Sequence, residues 1–392
     1  MPANPQQLHD AIRHIGSGLA SARQAAQAAQ AKTLRLLAKA ASAPDRFAAV
    51  VAQAAAADPT LRCAIPLHED LALGHSCPPG FGGPPILAVD GSQFMTDRHE
   101  EIIFALINIG AVTFVPGSGV APEISIDTRV LSEDELYATH GGPMSEGDMA
   151  LLRDSAERQA LLIYAPAVPG AIALSDGPLE LWGAKDASDP KAFERARRRY
   201  LEDLRELQRR DCTVAGYVDK PTADLVVRTL ELPQISPAAP AGGQRLRPLR
   251  GASDRWLFGH ILEPAERSAI FALQSSSRVQ YAGDLAVHFF YLNIGRASEP
   301  AIARIEIPMW VAQDQHHINA MHQALLDQCA LLGARPYPYL LHRAHETARI
   351  SMQERENIKL RLLLEMRDHG LEPEAISGKS SAKSISGSKG RY

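Results

Sequence analysis

The spacing of hydrophobic and polar positions changes along the chain and separates helical segments from strands. Residues 8 to about 58 are rich in alanine and almost free of glycine, which predicts two helices with a break at Ala43-Pro44-Asp45. Asp45 is the expected N-cap of the second helix, because a carboxylate accepts the free N–H groups of a first turn. Residues 1–76 are therefore predicted to form a helical amino-terminal arm.

The rest of the chain alternates between short apolar runs and segments with helical spacing. The apolar runs predict strands at 86–94, 102–115, 171–181 and 214–221. Apolar spacing and charge patterning predict helices at 147–165 and 191–210. Further on, 285–295 and 301–311 predict a hairpin, and a helix over 316–333 is expected to end at Gly333. Alternation of this kind is typical of an α/β protein with a mixed sheet flanked by helices.

Three segments are expected to lack regular structure. The stretch 77–85 holds two proline pairs and three glycines, and it marks the start of a main domain predicted to span 77–370. Residues 233–253 are rich in proline, glycine and arginine, so a long loop is expected there. The basic tail, 371–392, has almost nothing to bury and is expected to be disordered.

Composition excludes several classes of protein. With 392 residues, 45% of them hydrophobic and 22% charged, the chain differs from collagen-like and disordered proteins. No apolar run approaches the roughly 20 residues of a membrane helix and no signal peptide is evident, so no membrane contact and a cytoplasmic location are expected. The net charge of −4 means that any nucleic acid must be met by a local groove. Four scattered cysteines without a CxxC pair argue against a zinc ribbon.

Carboxylates follow two of the predicted strands. Asp90 comes after the run ILAV and Asp176 after AIALS, each directly before a glycine, and Glu157 lies on the helix between them. Mg²⁺ and Mn²⁺ prefer such oxygen ligands, and carboxylate-bound metals support phosphodiester hydrolysis. Asp-Gly is also a common turn dipeptide. The residues alone therefore leave a metal site and ordinary turn chemistry as two open interpretations.

The order of several motifs resembles the NurA nuclease family over residues about 80 to 355. The motifs are ILAVDGS, the helix with Glu157, ALSDGPLEL, GYVDKP and RPYPYLLHRAHETA. The resemblance implies an RNase H-like core with a site for Mn²⁺ or Mg²⁺. It also implies a homodimer that encloses DNA and docks on a HerA-type hexameric ATPase.

The same resemblance implies roles for individual residues. It makes Asp90, Glu157 and Asp176 the metal carboxylates, with Tyr337 and His345 completing the active site. Some alternatives remain open: Tyr337 as an aromatic core residue and His345 as a structural one. Three other acids lie near Glu157 in the sequence and compete with it, namely Glu133, Glu135 and Asp154.

Basic residues outside these motifs are candidates for phosphate contacts. Within 214–221 the predicted strand ends in Asp219, and Lys220 follows this aspartate and offers a point charge. The loop candidates are Arg245, Arg247 and Arg250, with the helix cluster 197–199 as the alternative. Three histidines of the helix 316–333, His316, His317 and His322, are expected on the surface.

The function that the resemblance implies is a metal-dependent DNA nuclease, with exonuclease and a further single-strand endonuclease activity, that processes DNA ends with a HerA-type ATPase. No GxxxxGK[ST] motif follows a strand, so ATP hydrolysis is assigned to another protein. The alternative from another class is a non-catalytic DNA clamp or scaffold for a translocase. Cleavage of labelled linear DNA distinguishes the two.

Overall fold

The computed structural model describes residues 4–78, 83–97, 100–137, 144–181, 189–235, 246–333 and 335–370. The chain divides into two compact units, each assembled from separate parts of the sequence. Unit one comprises Met1–Phe81, Gly177–Glu180 and Val214–Pro338. Unit two comprises Gly82–Asp176, Leu181–Thr213 and Tyr339–Tyr392. The predicted tail, 371–392, lies outside the described residues.

The helices and strands are numbered in chain order. The strands are β1 (Cys63–Pro66), β2 (His75–Ser76), β3 (Ile86–Met95), β4 (Phe104–Phe114), β5 (Glu123–Ser132), β6 (Ile172–Asp176), β7 (Thr213–Val218), β8 (Glu266–Arg267), β9 (Phe271–Gln274), β10 (Val287–Asn293) and β11 (Ile302–Pro308). The helices are α1 (Pro5–Ala41), α2 (Pro44–Ala57), α3 (Glu133–Tyr137), α4 (Glu146–Tyr164), α5 (Pro190–Arg209), α6 (Leu225–Glu231), α7 (Asp254–Ile261), α8 (Met309–Ala312), α9 (Gln315–Ala330), α10 (Tyr339–Ala348) and α11 (Met352–Asp368). No helix in these ranges is long and apolar enough to cross a membrane.

The two alanine-rich helices at the amino terminus are present as predicted. The expected N-cap was wrong: Ala43 occupies that position, and Pro44 at the first helical position places Asp45 inside the first turn. There its charge still faces the positive end of the helix dipole. The carboxyl half of α1 buries small and apolar side chains such as Thr33, Leu37 and Ala40 in unit one.

The sheet of unit one is antiparallel, in the order β1-β9-β10-β11-β7. β10 and β11 pair from Val287↔Pro308 to Asn293↔Ile302, which confirms the predicted hairpin. Aromatic rings fill its core: Phe258 stacks on Tyr291 with centroids 4.4 Å apart. All seven residues of each hairpin strand are buried, including Arg304 and Glu306 of β11, which form an ion pair.

The sheet of unit two is mixed, in the order β6-β3-β4-β5. β3 runs parallel to β6 and antiparallel to β4, and β4 runs antiparallel to β5. Helices α4 and α10 both pack on β3 and β4, and α5 packs on α4. The predicted α/β class, a mixed sheet flanked by helices with a helical amino-terminal region, is confirmed.

The two Asp-Gly dipeptides lie in different surroundings. β6 ends at Asp176, as predicted, and Gly177 takes a left-handed φ of 89°. β3 does not end at Asp90 but continues through Gly91 to Met95, so the expected strand end was wrong there. The reason is pairing with β4, which aligns Asp90 with Gly110 and Gly91 with Ile109.

The predicted loops and surface histidines have mixed outcomes. Residues 79–82 and 236–245 lie outside the described residues, and 83–85 and 246–249 contain no helix or strand. His316 is exposed as expected, but His317 and His322 are buried, with 5% and 1% of their surface accessible. Both histidines lie on the buried side of α9. The spacing of residues in the sequence did not distinguish this side of the helix from its exposed side.

Candidate active site

The parallel pairing of β3 and β6 brings two of the predicted carboxylates together. The register aligns Val89 with Ser175, so Asp90 and Asp176 are the next residues along the two strands. Neighbouring strands lie about 4.8 Å apart, and side chains at equivalent register positions point to the same face. Asp90 is partly buried and Asp176 is exposed. The two aspartates thus occupy neighbouring register positions at the carboxyl end of β6.

His345 joins this pair from α10. Its Nδ1 lies 2.7 Å from Asp90 Oδ2, while 65% of the His345 side chain remains exposed. Gly110, directly opposite Asp90 on β4, makes the approach of the helix possible. A Cβ at Gly110 would lie 2.6 Å from the carbonyl oxygen of Ala344 and 2.7 Å from the Ala348 nitrogen. Any larger residue would therefore push α10 away from the sheet.

Glu157 reaches the same strand from the opposite face. Successive residues of a strand point to opposite sides, so Gly91 faces α4 where Asp90 faces α10. A Cβ at Gly91 would lie 2.6 Å from Glu157 Oε1. Glycine at this position is needed because the glutamate side chain occupies the space that a side chain would fill. In β3, the glycine of the Asp-Gly dipeptide therefore allows the close approach of Glu157 and does not form a turn.

The surroundings of Glu157 strongly affect its protonation. Burial, together with the nearby charges of Asp154 and Asp90, raises its pKa from 4.5 to about 8 against the opposing effect of Arg153. The carboxyl group is held in an environment that disfavours its negative charge. A carboxylate in this state gains more from a bound cation than a solvated one does.

Arg153 is the cation present in this cluster, and the sequence analysis did not select it. Its Nε lies 3.1 Å from Glu157 Oε1, and its Nη2 lies 2.7 Å from Asp154 Oδ1. The available signal was its position four residues before Glu157 on a helix, where side chains meet. Arg153 neutralises part of the negative charge that the carboxylates bring together.

The other candidates for the third carboxylate are placed differently. Glu135 accepts the backbone N–H of Ser132 and pairs with Arg129, which lowers its pKa. Glu133 is exposed at the start of α3. Asp154 alone among the alternatives shares Arg153 with Glu157.

The donor set suits a hard divalent cation. Asp90, Asp176 and Glu157 provide carboxylate oxygens, and His345 provides an imidazole that Mn²⁺ also accepts. Over the part of the chain that the structure describes, no three His, Cys, Asp or Glu side chains are arranged to hold a metal ion. His345 binds Asp90, and Arg153 binds Glu157, so these donors make contacts with protein groups. The residue types fit the ion, while their present contacts are with one another.

Tyr337 and Lys220 belong to unit one. The Tyr337 ring packs edge to face against Tyr217, with centroids 5.3 Å apart, and the residue is half-buried. Lys220 is exposed, has a left-handed φ of 43° and keeps its Nζ 3.6 Å from Asp219 Oδ2. The first contact matches the aromatic-core interpretation of Tyr337, and the exposure of Lys220 leaves its charge accessible.

The loop arginines fall into three groups. Arg245 lies outside the described residues. Arg247 donates from Nε to Glu231 Oε2 at 2.8 Å and from Nη2 to Asp224 Oδ2 at 3.1 Å. Arg250 is exposed at a short bridge with Ala252. Arg247 therefore has structural partners, whereas Arg250 presents its charge to solvent.

Comparison with known proteins supplies a family. The profile of the NurA domain matches residues 84–350, more than half of the chain. Among solved structures, the NurA nuclease from Sulfolobus solfataricus is 16% identical, with 76% of this chain and 86% of that chain covered and a TM-score of 0.45. The catalytic domain of human endonuclease V is also 16% identical, with 72% and 85% covered and a TM-score of 0.31. No curated protein matches the chain by sequence.

Proposed function

Because this chain belongs to the NurA family, we propose that it is a divalent-metal-dependent DNA nuclease. The observation that carries the proposal is the juxtaposition of Asp90 and Asp176 on neighbouring parallel strands, with His345 bonded to Asp90. Carboxylates beside a partly exposed imidazole are the groups that hydrolysis of a phosphodiester requires. Asp176 and His345 are exposed, so a substrate can reach this side of the cluster.

The metal ligands on this proposal are Asp90, Asp176 and Glu157, and the ion is Mn²⁺ or Mg²⁺. When bound, a divalent cation supplies Lewis acidity at the phosphate and lowers the pKa of a coordinated water. Glu157 has to give up its contact with Arg153 to act as a ligand. Arg153 then remains as a nearby positive charge that balances the cluster.

His345 is proposed to move a proton. Its Nδ1–H donates to Asp90, so the hydrogen bond fixes the tautomer and leaves Nε2 as the basic nitrogen. An imidazole held in this way takes a proton from an attacking water or delivers one to the departing oxygen. Tyr337 is proposed as a second group that meets the phosphate, on the family resemblance.

The substrate is proposed to be DNA ends, cut by exonuclease and single-strand endonuclease activity. Arg245, Arg247, Arg250 and Lys220 are proposed to meet the backbone phosphates; Lys220 and Arg250 are exposed. A HerA-type hexameric ATPase is the proposed partner, on the family resemblance. A homodimer is proposed as the active form.

The decisive experiment is cleavage of end-labelled linear DNA, single- and double-stranded, with Mn²⁺, with Mg²⁺ and with EDTA. We expect metal-dependent cleavage by the wild type and none by Asp90→Asn. Asp10→Asn, on the exposed half of α1, is the matched control and keeps wild-type activity. A wild type that binds DNA but never cleaves it would establish the clamp or scaffold alternative instead.

Partners are tested separately from chemistry. Light scattering after size exclusion gives the mass of the purified chain, and twice 42.4 kDa is the expected value. Mixing with a purified HerA-type ATPase, with and without DNA, then shows whether the two proteins co-elute. A monomer that does not co-elute would reject these two proposals and leave the nuclease proposal untouched.

A further inference from the structure

The last carbonyl of α10 is held by side chains of the sheet. Ala348 ends the helix and is buried, so its carbonyl oxygen has no partner within the helix. It accepts Ser92 Oγ at 2.5 Å and Asn108 Nδ2 at 2.9 Å. A buried carbonyl left without a donor destabilises the fold, so these two bonds set where the helix can end.

The donors belong to one polar row that crosses three strands. Ser92 on β3 lies directly opposite Asn108 on β4, which lies directly opposite Thr128 on β5. Thr128 Oγ1 donates to Asn108 Oδ1 at 2.5 Å, which leaves the Asn108 amide nitrogen to face Ala348. Asn108 is 8% exposed and is the polar residue among the buried positions of β4.

The polar row lies next to the pair that forms the proposed site. Asp90 precedes Ser92 by two residues on the same face of β3, about 6.6 Å along the strand. His345 precedes Ala348 by three residues, about 4.5 Å along the helix axis. Hydrogen bonds therefore join α10 to β3 at two places among the described residues, between His345 and Asp90 and between Ala348 and Ser92. A helix held at two such points can neither slide nor rotate without breaking one of them.

We propose that the polar row Ser92, Asn108 and Thr128 positions His345 against Asp90. The inference rests on the proposed nuclease function, because the step it serves is the proton transfer at His345. The three residues act through the helix and do not touch DNA or metal. Removing one of them lets the end of α10 shift, and the imidazole then loses its alignment while the carboxylates stay in place.

A double-mutant cycle tests the proposal. Asn108→Leu keeps the shape of the side chain and removes its hydrogen bonds. In the wild type we expect it to lower kcat by about 10- to 100-fold with KM unchanged, since misplacement near 1 Å has effects of this size. In a His345→Asn background the same change should lower kcat by less than about twofold. If Asn108→Leu lowers kcat by the same factor in the wild type and in the His345→Asn background, Asn108 does not act through His345.

A second pair of variants covers the case in which Asn108→Leu fails to fold. Thr128→Val removes the hydroxyl and keeps the volume, whereas Thr128→Ser keeps the hydroxyl. We expect a lower kcat for the valine variant and near-complete recovery for the serine variant. Equal activities of the two would overturn the role of the row, because the hydroxyl is the group that orients Asn108.

Hydrogen exchange separates this proposal from the nuclease proposal. Amides of 345–349 should exchange faster in Asn108→Leu and Thr128→Val than in the wild type or Thr128→Ser, whether or not the protein cleaves DNA. If the wild type cleaves DNA and exchange is the same in all variants, the row has no positioning role. If the wild type never cleaves DNA but exchange changes as expected, the nuclease proposal fails and the anchoring of α10 stands.

Discussion

His345 Nδ1 lies 2.7 Å from Asp90 Oδ2, although the two residues are 255 positions apart in the sequence. The contact joins the last turn of α10 to the middle of β3. It orients an exposed imidazole beside a carboxylate that has a second carboxylate, Asp176, as its neighbour in the parallel register. The arrangement separates the two nitrogens of His345 into a bonded one and an accessible one.

The first prediction concerns the accessible nitrogen. Asparagine at position 345 can still donate an N–H to Asp90 but has no basic Nε2. We expect His345→Asn to fold normally and to lower the cleavage rate by about 100-fold or more, the size of effect that general acid–base groups supply. His342→Asn, one turn away and 3.5 Å from Glu346, is the matched control. Equal rates for the two variants would remove His345 from the mechanism.

The second prediction concerns Gly91. In Gly91→Ala the new Cβ would lie 2.6 Å from Glu157 Oε1 and 2.9 Å from Ile109 Cδ1, so Glu157 has to move. We expect cleavage to fall by at least about 10-fold, with a loss of stability of about 1–2 kcal/mol measured by urea unfolding.

Gly259→Ala is the control for this change. Its Cβ would meet Pro300 Cβ at 3.5 Å, an ordinary contact, and alanine favours the α7 helix. We expect unchanged cleavage and equal or higher stability. Wild-type cleavage by Gly91→Ala would show that the position of Glu157 beside β3 is not required.

The third prediction separates two arginines of one loop. Arg247 pairs with Glu231, which is fully buried, so Arg247→Ala should lower the free energy of unfolding by about 2 kcal/mol. Arg250 is exposed, so Arg250→Ala should leave unfolding unchanged. In DNA binding, Arg250→Ala should reduce the slope of log DNA affinity against log salt concentration by about the value for one phosphate contact.

Urea unfolding and filter binding over a salt series provide both measurements. EDTA in the binding buffer keeps cleavage out of the comparison. An unchanged slope for Arg250→Ala would place the DNA contact elsewhere. Unchanged stability for Arg247→Ala would show that Arg228, which also pairs with Glu231, neutralises this glutamate by itself.

The fourth prediction concerns acid stability. Burial lowers the pKa of His322 from 6.5 to about 4, and its Nε2–H donates to the Ala265 carbonyl at 2.9 Å. The unfolded chain binds a proton more readily than the folded one, so stability is lost as the pH falls from about 6.5 towards 4. The loss from this group is up to about 3 kcal/mol.

His322→Gln removes this titration while its amide can still donate to Ala265. We expect the free energy of unfolding of His322→Gln to decline less than that of the wild type between pH 6.5 and pH 4. His316→Gln, which is exposed on the same helix, should follow the wild type. If the free energy of unfolding depends on pH in the same way in all three proteins, protonation of His322 in the folded state does not destabilise the protein.

Local patterns in the sequence were sufficient for most of the elements. The alanine-rich helices, the helix around Glu157 and the β10–β11 hairpin follow from spacing and turn residues that lie close together in the chain. The end of β6 at Asp176 was equally local, because a left-handed glycine follows it. Motif order was also sufficient for the family, which the profile match over 84–350 confirms.

The tertiary structure decided which of these residues meet. Asp90 lies inside β3 and not at its end because β4 continues the pairing, and no local signal at Asp-Gly distinguishes the two cases. The roles of Gly91 and Gly110 depend on which helix crosses each face of the strand. Asn108 forms its row through partners on two other strands and the end of α10. The pairing register of the strands and the face on which each side chain lies are set by contacts between segments that are far apart in sequence. The local spacing of residues does not contain this information.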